Sequence, residues 1–216
     1  MSNTDQRRRR VLRAVAPVAG LLAVGLLVWQ GSYAAFSATT NNNADSWATG
    51  NLTLQNDAGT GTYAASTLAL FTETAIKPGS TNTKCLTVAA GGTAGGALKL
   101  YRGAITGTNS AALAPFLTID VVQSAVVNAV PSPAVGANCA NFVAAGSTAI
   151  TPAGGTVLSL LPNTYAAGLG TAVVPANASR WVTYKITYTF TSTGTNAGDN
   201  LLQSSNAIAD LSWEIQ

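Results

Sequence analysis

The chain has no histidine among its 216 residues. That removes a Ser-His-Asp or Cys-His triad, a His-Glu-x-x-His metalloprotease helix and most zinc centres at once. What remains for chemistry is a set of carboxylates (Asp45, Asp57, Glu73, Asp120, Asp199, Asp210 and Glu214), two cysteines (Cys85 and Cys139), and the tryptophans Trp47, Trp181 and Trp213. A glycosidase needs two carboxylates that meet across the scissile bond, and sequence separation does not forbid such a meeting. These carboxylates are scattered through predicted loops and strand faces, so solvated surface groups are the reading taken. The tryptophans could line a carbohydrate platform, but each sits in a strand-like pattern that favours core or half-buried packing. Gly91-Gly92-Thr93-Ala94-Gly95-Gly96 lacks the Lys-Ser/Thr and helix start of a phosphate cradle and reads as a flexible hairpin turn. No Asp-x-Asp-x-Asp-Gly ladder marks a calcium loop. The expectation is a protein without enzymatic activity, cofactor or metal.

The elements that must position these residues begin with an export signal. Arg7 to Arg10 and Arg13 precede sixteen uncharged residues, Ala14 to Trp29. That run is closer to a signal-peptide core than to the roughly 20 residues of a membrane span. Ser32 and Ala34 stand at the −3 and −1 positions that a signal peptidase reads, so cleavage is expected between Ala34 and Ala35. The alternative is an uncleaved helical anchor, which would be the protein's one attachment to a membrane. Arg8-Arg9-Arg10-Val11-Leu12-Arg13 also resembles a twin-arginine signal, although the ordinary secretory route is preferred for so apolar a core. The predicted organisation is residues 1–34 as signal peptide and 35–216 as one secreted domain, with 35–43 as an N-terminal arm.

Removal of the signal leaves six Lys and Arg against seven Asp and Glu, a net charge of −1. The basic balance of the full chain therefore belongs to the targeting segment, and no basic patch remains for nucleic acid or anionic lipid. Thr, Ser and Asn supply 56 of the 182 remaining residues, so the surface is built mainly from uncharged polar groups. Sheet proteins usually guard their edge strands with charge, and this chain has little of it. An exported pair of cysteines favours one disulfide between Cys85 and Cys139. Closing that loop would stabilise the fold by roughly 4 kcal/mol on the chain-entropy model. The competing reading is two buried thiols or metal ligands.

Strand signals recur along the chain. Val182, Tyr184, Ile186, Tyr188 and Phe190 alternate with Thr183, Lys185, Thr187, Thr189 and Thr191, a period of two with β-branched and aromatic residues. Further strands are predicted over Trp47–Leu54, Tyr63–Phe71, Cys85–Ala89, Leu98–Arg102, Leu117–Val122, Thr156–Leu161 and Ala209–Ile215. The stretch 125–155 reads as an irregular excursion with a short helix, tied back to the sheet by Cys139. Seven or eight short strands separated by Gly and Pro indicate an all-β fold, an antiparallel β-sandwich of jelly-roll type.

Three segments resemble a known family. AAFSATTNNNADSWATGNLTL (Ala34 to Leu54) is similar to the start of mature TasA/camelysin proteins, exported matrix proteins with a SipW-type signal peptide. IKPGSTNTKCLTVAAGGTAGGALKLY (Ile76 to Tyr101) is similar to that family's Pro-Gly turn, strand, glycine-containing turn and next strand. DNLLQSSNAIADLSWEIQ (Asp199 to Gln216) resembles its ending, with Ser204 where the family usually has Gly. The resemblance implies a jelly-roll-like domain that builds extracellular biofilm fibres, in which the N-terminal strand of one subunit completes a sheet of the next. In this chain the donor would be the uncharged arm beginning Ala35, Phe36, Ser37, Ala38 and Thr39, an instance of β-strand addition. The acceptor would be a groove beside Trp181–Phe190 or Ala209–Ile215. The expected partners are further copies of the chain, an accessory exported protein and the processing peptidase. The family's metalloprotease label does not carry over to a chain without histidine. The rival reading is a monomeric surface module that binds a glycan through exposed tryptophans.

Overall fold

The alternation at Val182–Phe190 becomes the centre of the molecule. The computed structural model describes residues 51–65 and 69–216. Among them are nine strands: β1 (Leu52–Asn56), β2 (Thr81–Gly92), β3 (Gly96–Arg102), β4 (Leu117–Gln123), β5 (Thr148–Ala149), β6 (Thr156–Val157), β7 (Leu169–Val174), β8 (Arg180–Phe190) and β9 (Leu211–Ile215). They form two antiparallel sheets. The larger runs β1-β2-β8-β4-β5, with β6 also on β4, and the smaller runs β7-β3-β9. Residues Thr49–Gln216 cluster as one compact unit.

The period of two is visible in burial. β8 turns Val182, Tyr184, Ile186, Tyr188 and Phe190 inward, and β4 does the same with Leu117, Ile119, Val121 and Gln123. These meet Leu98 and Leu100 of β3, Ala172 and Val174 of β7 and Ile215 of β9 in one apolar cluster between the sheets. On the opposite face of the larger sheet, threonine hydroxyls pair across β2 and β8: Thr83 with Thr187 at 2.8 Å and Thr87 with Thr183 at 3.1 Å. Such cross-strand pairs add to the ladder without requiring charge.

Cys85 is fully buried and bonded to Cys139. The bridge fixes the stretch 125–155 beside β2, where Cys85 N–H donates to the Ala137 carbonyl at 3.0 Å and Ala137 N–H to that of Gly59 at 3.0 Å. No helix occurs in that stretch, contrary to expectation. It adds only β5 and a bridge from Val127 to Trp181. The short helices lie instead at Ser110–Leu113 and Asn196–Leu201.

Three further expectations change. The described parts of Tyr63–Phe71 are not a strand. Asp57–Gly61 turns the chain back, with Gly59 and Gly61 at φ of 75° and 81°, so Ala64 makes a single bridge to Asn56. Phe71 then meets Tyr188 edge-on at 5.4 Å and covers the core rather than joining a sheet. Thr156–Leu161 stops as a strand after two residues, because a 3-10 turn at Leu158–Leu160 buries both Leu158 and Leu161. Gly91–Gly96 is no hairpin turn. β2 pairs with β1 and β8, whereas β3 pairs with β7 and β9, so this glycine segment carries the chain from one sheet to the other. The signal helix, the Ala34/Ala35 cleavage site and the arm 35–43 lie outside the described residues.

Candidate functional site

Strand addition needs an unpaired edge, so the two acceptor strands named from the sequence can be tested against the ladders. β8 fails. It is bonded to β2 from Arg180 to Thr189 and to β4 from Tyr184 to Phe190, and Trp181 bonds Val127 beyond the end of β4. Its very regularity explains this: both faces of β8 suit a central strand, which has no free edge to offer.

β9 passes. It pairs with β3 on one side, in the register Leu98 with Ile215, Leu100 with Trp213 and Arg102 with Leu211. Ala97 and Gln216 exchange both backbone bonds, at 2.8 and 3.3 Å, and Gly103 N–H donates to the Asp210 carbonyl at 2.8 Å. In an antiparallel ladder bonded pairs alternate with non-bonded ones. Gln216, Glu214, Ser212 and Asp210 therefore point their backbone groups at β3, and Leu211, Trp213 and Ile215 point theirs outward. No hydrogen bond is made by those outward groups among the described residues. The same three residues turn their side chains toward the core. A strand arriving at this edge would find backbone donors and acceptors beside an apolar interior.

The outer face of this edge is polar and organised. Tyr101 Oη donates to Glu214 Oε2 at 2.6 Å, and Gln216 Nε2 donates to Glu214 Oε1. The Tyr101 bond, and less strongly the Gln216 bond, hold the Glu214 carboxyl below the usual range, and the same bond pushes the Tyr101 phenol up. Beneath the edge, Trp213 packs on Tyr184 with ring centroids 5.4 Å apart. Burial pushes the Tyr184 phenol far up, opposed in smaller part by the nearby Trp213 indole. The indole approaches without reaching hydrogen-bond geometry, and among the described residues Tyr184 Oη and Trp213 Nε1 are both buried without a partner.

No protein-family model matches this chain, and no curated protein matches it.

The remaining sequence candidates fall into separate places. Trp213 faces the interior from the smaller sheet, while Trp181 lies half-buried on the larger sheet, on the face away from Val182. The described tryptophans thus form no common platform, and Trp47 lies outside the described residues. Among those residues no three His, Cys, Asp or Glu converge as a metal site. Asp199 bonds Thr193 N–H at 2.7 Å together with the Ser192 and Thr193 hydroxyls, and these bonds, the backbone one foremost, keep its carboxyl low. Asp120 accepts from Thr151 at 2.7 Å, and Glu73 from Asn82 at 2.6 Å. Asp57 corrects the expectation of solvated carboxylates. It is 1% exposed, and its Oδ1 accepts from Thr87 N–H at 2.7 Å and Gly59 N–H at 2.9 Å. Sequence reasoning missed Asp57 because its burial depends on the turn that follows it. It also missed the orphaned Tyr184 hydroxyl, although a tyrosine at an inward position of a strictly alternating strand was a signal that could have found it.

Proposed function

We propose that the chain is a secreted, non-enzymatic structural subunit of cell-surface or biofilm-matrix fibres, assembled when the arm of one copy pairs with the β9 edge of the next. The observation that carries this reading is the run of outward backbone groups at Leu211, Trp213 and Ile215. Three features support it. The smaller sheet has three strands against a path of five in the larger, and β9 is one of its two edge strands. β9 carries one charged side chain, Glu214, and that carboxylate is engaged by Tyr101 and Gln216 rather than set to repel a neighbour. The resemblance of three segments to TasA/camelysin proteins points the same way.

A jelly-roll is the finer form of the fold that we favour, supported by the passage from β2 to β3 between sheets and by β8 lying between β2 and β4. Secretion is supported by the disulfide and the signal-like N-terminus. No helix among the described residues is long and apolar enough to cross a membrane. In this reading the membrane is met only through an uncleaved signal, and an accessory exported protein is a possible second partner. The test is electron microscopy of the chain expressed from Ala35. Fibres are expected, and a variant lacking residues 35–43 should stay monomeric. A form that remains monomeric at high concentration with its arm intact would refute the reading.

A further inference from the structure

Tyr184 is excluded from solvent (0% exposed), and its hydroxyl and the Trp213 indole N–H are each buried without a partner among the described residues. The two rings lie 5.4 Å apart between centroids, tilted by 57°. Both groups are donors, and the phenol oxygen is the only acceptor between them. Were the indole to turn onto that oxygen, the phenol O–H would still have nothing to bond. Buried donors are nearly always paired in native proteins, because leaving one unmade forfeits its hydration for nothing. Trp213 belongs to β9, whose outward backbone groups are unpaired among the described residues. One of the two orphaned donors therefore sits on the strand whose outer edge is unpaired among the described residues.

Resting on the assembly reading above, we propose that the strand added to β9 brings a hydrogen-bond acceptor side chain to Tyr184 Oη and Trp213 Nε1, and that it comes from Thr40 or Asn42 of a second copy. The choice follows from strand geometry. In an extended segment Phe36, Ala38, Thr40 and Asn42 share one face. Turning Phe36 and Ala38 toward the apolar interior turns Thr40 and Asn42 inward as well. The opposite register would leave the Phe36 ring in solvent and forgo its burial. Thr Oγ1 and Asn Oδ1 both accept, and 35–43 carries no charged side chain, so insertion buries no side-chain ion. Nine extended residues span roughly 30 Å, ample to cover the five of β9.

The test uses the chain beginning at Ala35 with ¹⁵N-labelled tryptophan, the Trp213 indole being assigned with Trp213→Phe. On assembly the Trp213 indole N–H should move downfield and exchange more slowly. Thr40→Val with Asn42→Leu should weaken assembly roughly tenfold, with the Trp213 signal left at its unassembled position. Adding Tyr184→Phe should recover part of that loss, because one orphaned donor is then gone. An unchanged monomer melting point shows that the fold is intact. If the double variant assembles as well as the parent with the same Trp213 shift, the acceptor inference is overturned while the fibre reading stands. If the indole is already hydrogen-bonded in unassembled protein, a buried water fills the role and the inference is overturned too. If the parent chain does not assemble, the fibre reading itself fails and takes this inference with it.

Discussion

Asp57 shows how one carboxylate can act as a piece of backbone. β1 ends at Asn56, and beyond it Asp57 Oδ1 accepts the Thr87 and Gly59 amides while Asp57 N–H donates to the Thr87 carbonyl at 3.1 Å. Removing that oxygen leaves the buried Thr87 amide and the half-buried Gly59 amide without an acceptor. Asp57→Ala should therefore lower unfolding stability by about 2 to 3 kcal/mol in chemical denaturation, with Asp57→Asn, which keeps an Oδ1, costing less. Equal losses for the two variants would mean that the charge, not the acceptor, is what the site uses. Glu214 offers a different case, a half-buried residue whose carboxyl is lowered chiefly by Tyr101. A lowered carboxyl favours the folded state above its unfolded pKa and loses that effect as pH falls through the folded value. Tyr101→Phe should raise the Glu214 midpoint toward the ordinary glutamate range in a carbon-13 NMR titration, and so shrink the stabilisation that is lost on acidification. The cysteine pairing was legible from the expected export and the even count of cysteines. The burial of Asp57 was not, because it is set by a turn whose conformation composition does not specify.

The strands that could be read were those whose side chains alternate. β8, β4, β3 and β9 each carry apolar residues at every second position, and each forms close to where the pattern lies. β7 escaped notice because Leu169–Val174 contains Gly, Thr and Ala, so little hydrophobic contrast marks its buried Ala172 and Val174. β2 begins four residues earlier than read, since Thr81–Lys84 owes its place to cross-strand partners on β8 and not to burial. Tyr63–Phe71 had the composition of a strand but follows a tight turn, and its aromatic end serves as cover for the core. Pairing partners were not legible either. That distinction matters most for β8 and β9, which look alike as strands and differ entirely as edges. Proline separates the two roles, because it removes one backbone donor. At Leu211, the first residue of β9, the N–H points outward, so Leu211→Pro should keep the fold and abolish assembly. At Ile186, inside β8, the same change should abolish folding, read as loss of a cooperative melting transition. A Leu211→Pro variant that still makes fibres would move the acceptor edge away from β9.

At the scale of the molecule, the scarcity of charge and the openness of the β9 edge belong together. The chain from Ala35 carries a net charge of −1, and threonine hydroxyls pair across β2 and β8 at Thr81–Thr189, Thr83–Thr187 and the buried Thr87–Thr183. Copies of a chain with so little charge neither attract nor repel one another strongly at a distance. What would join them is backbone pairing along β9 and burial of Phe36 against the interior, neither of which is ionic. Raising the salt from 0.1 M to 1 M shortens the Debye length from about 10 Å to about 3 Å and would dissolve contacts built on surface ion pairs. Fibres of this chain should keep their yield and their critical concentration across that range, measured by sedimentation of the chain beginning at Ala35. Assembly should instead respond to urea, which solvates peptide groups and apolar surface alike. A critical concentration that climbs steeply with salt while ignoring mild urea would mean that charged side chains hold the subunits together, and strand addition at β9 would have to be abandoned as the joint.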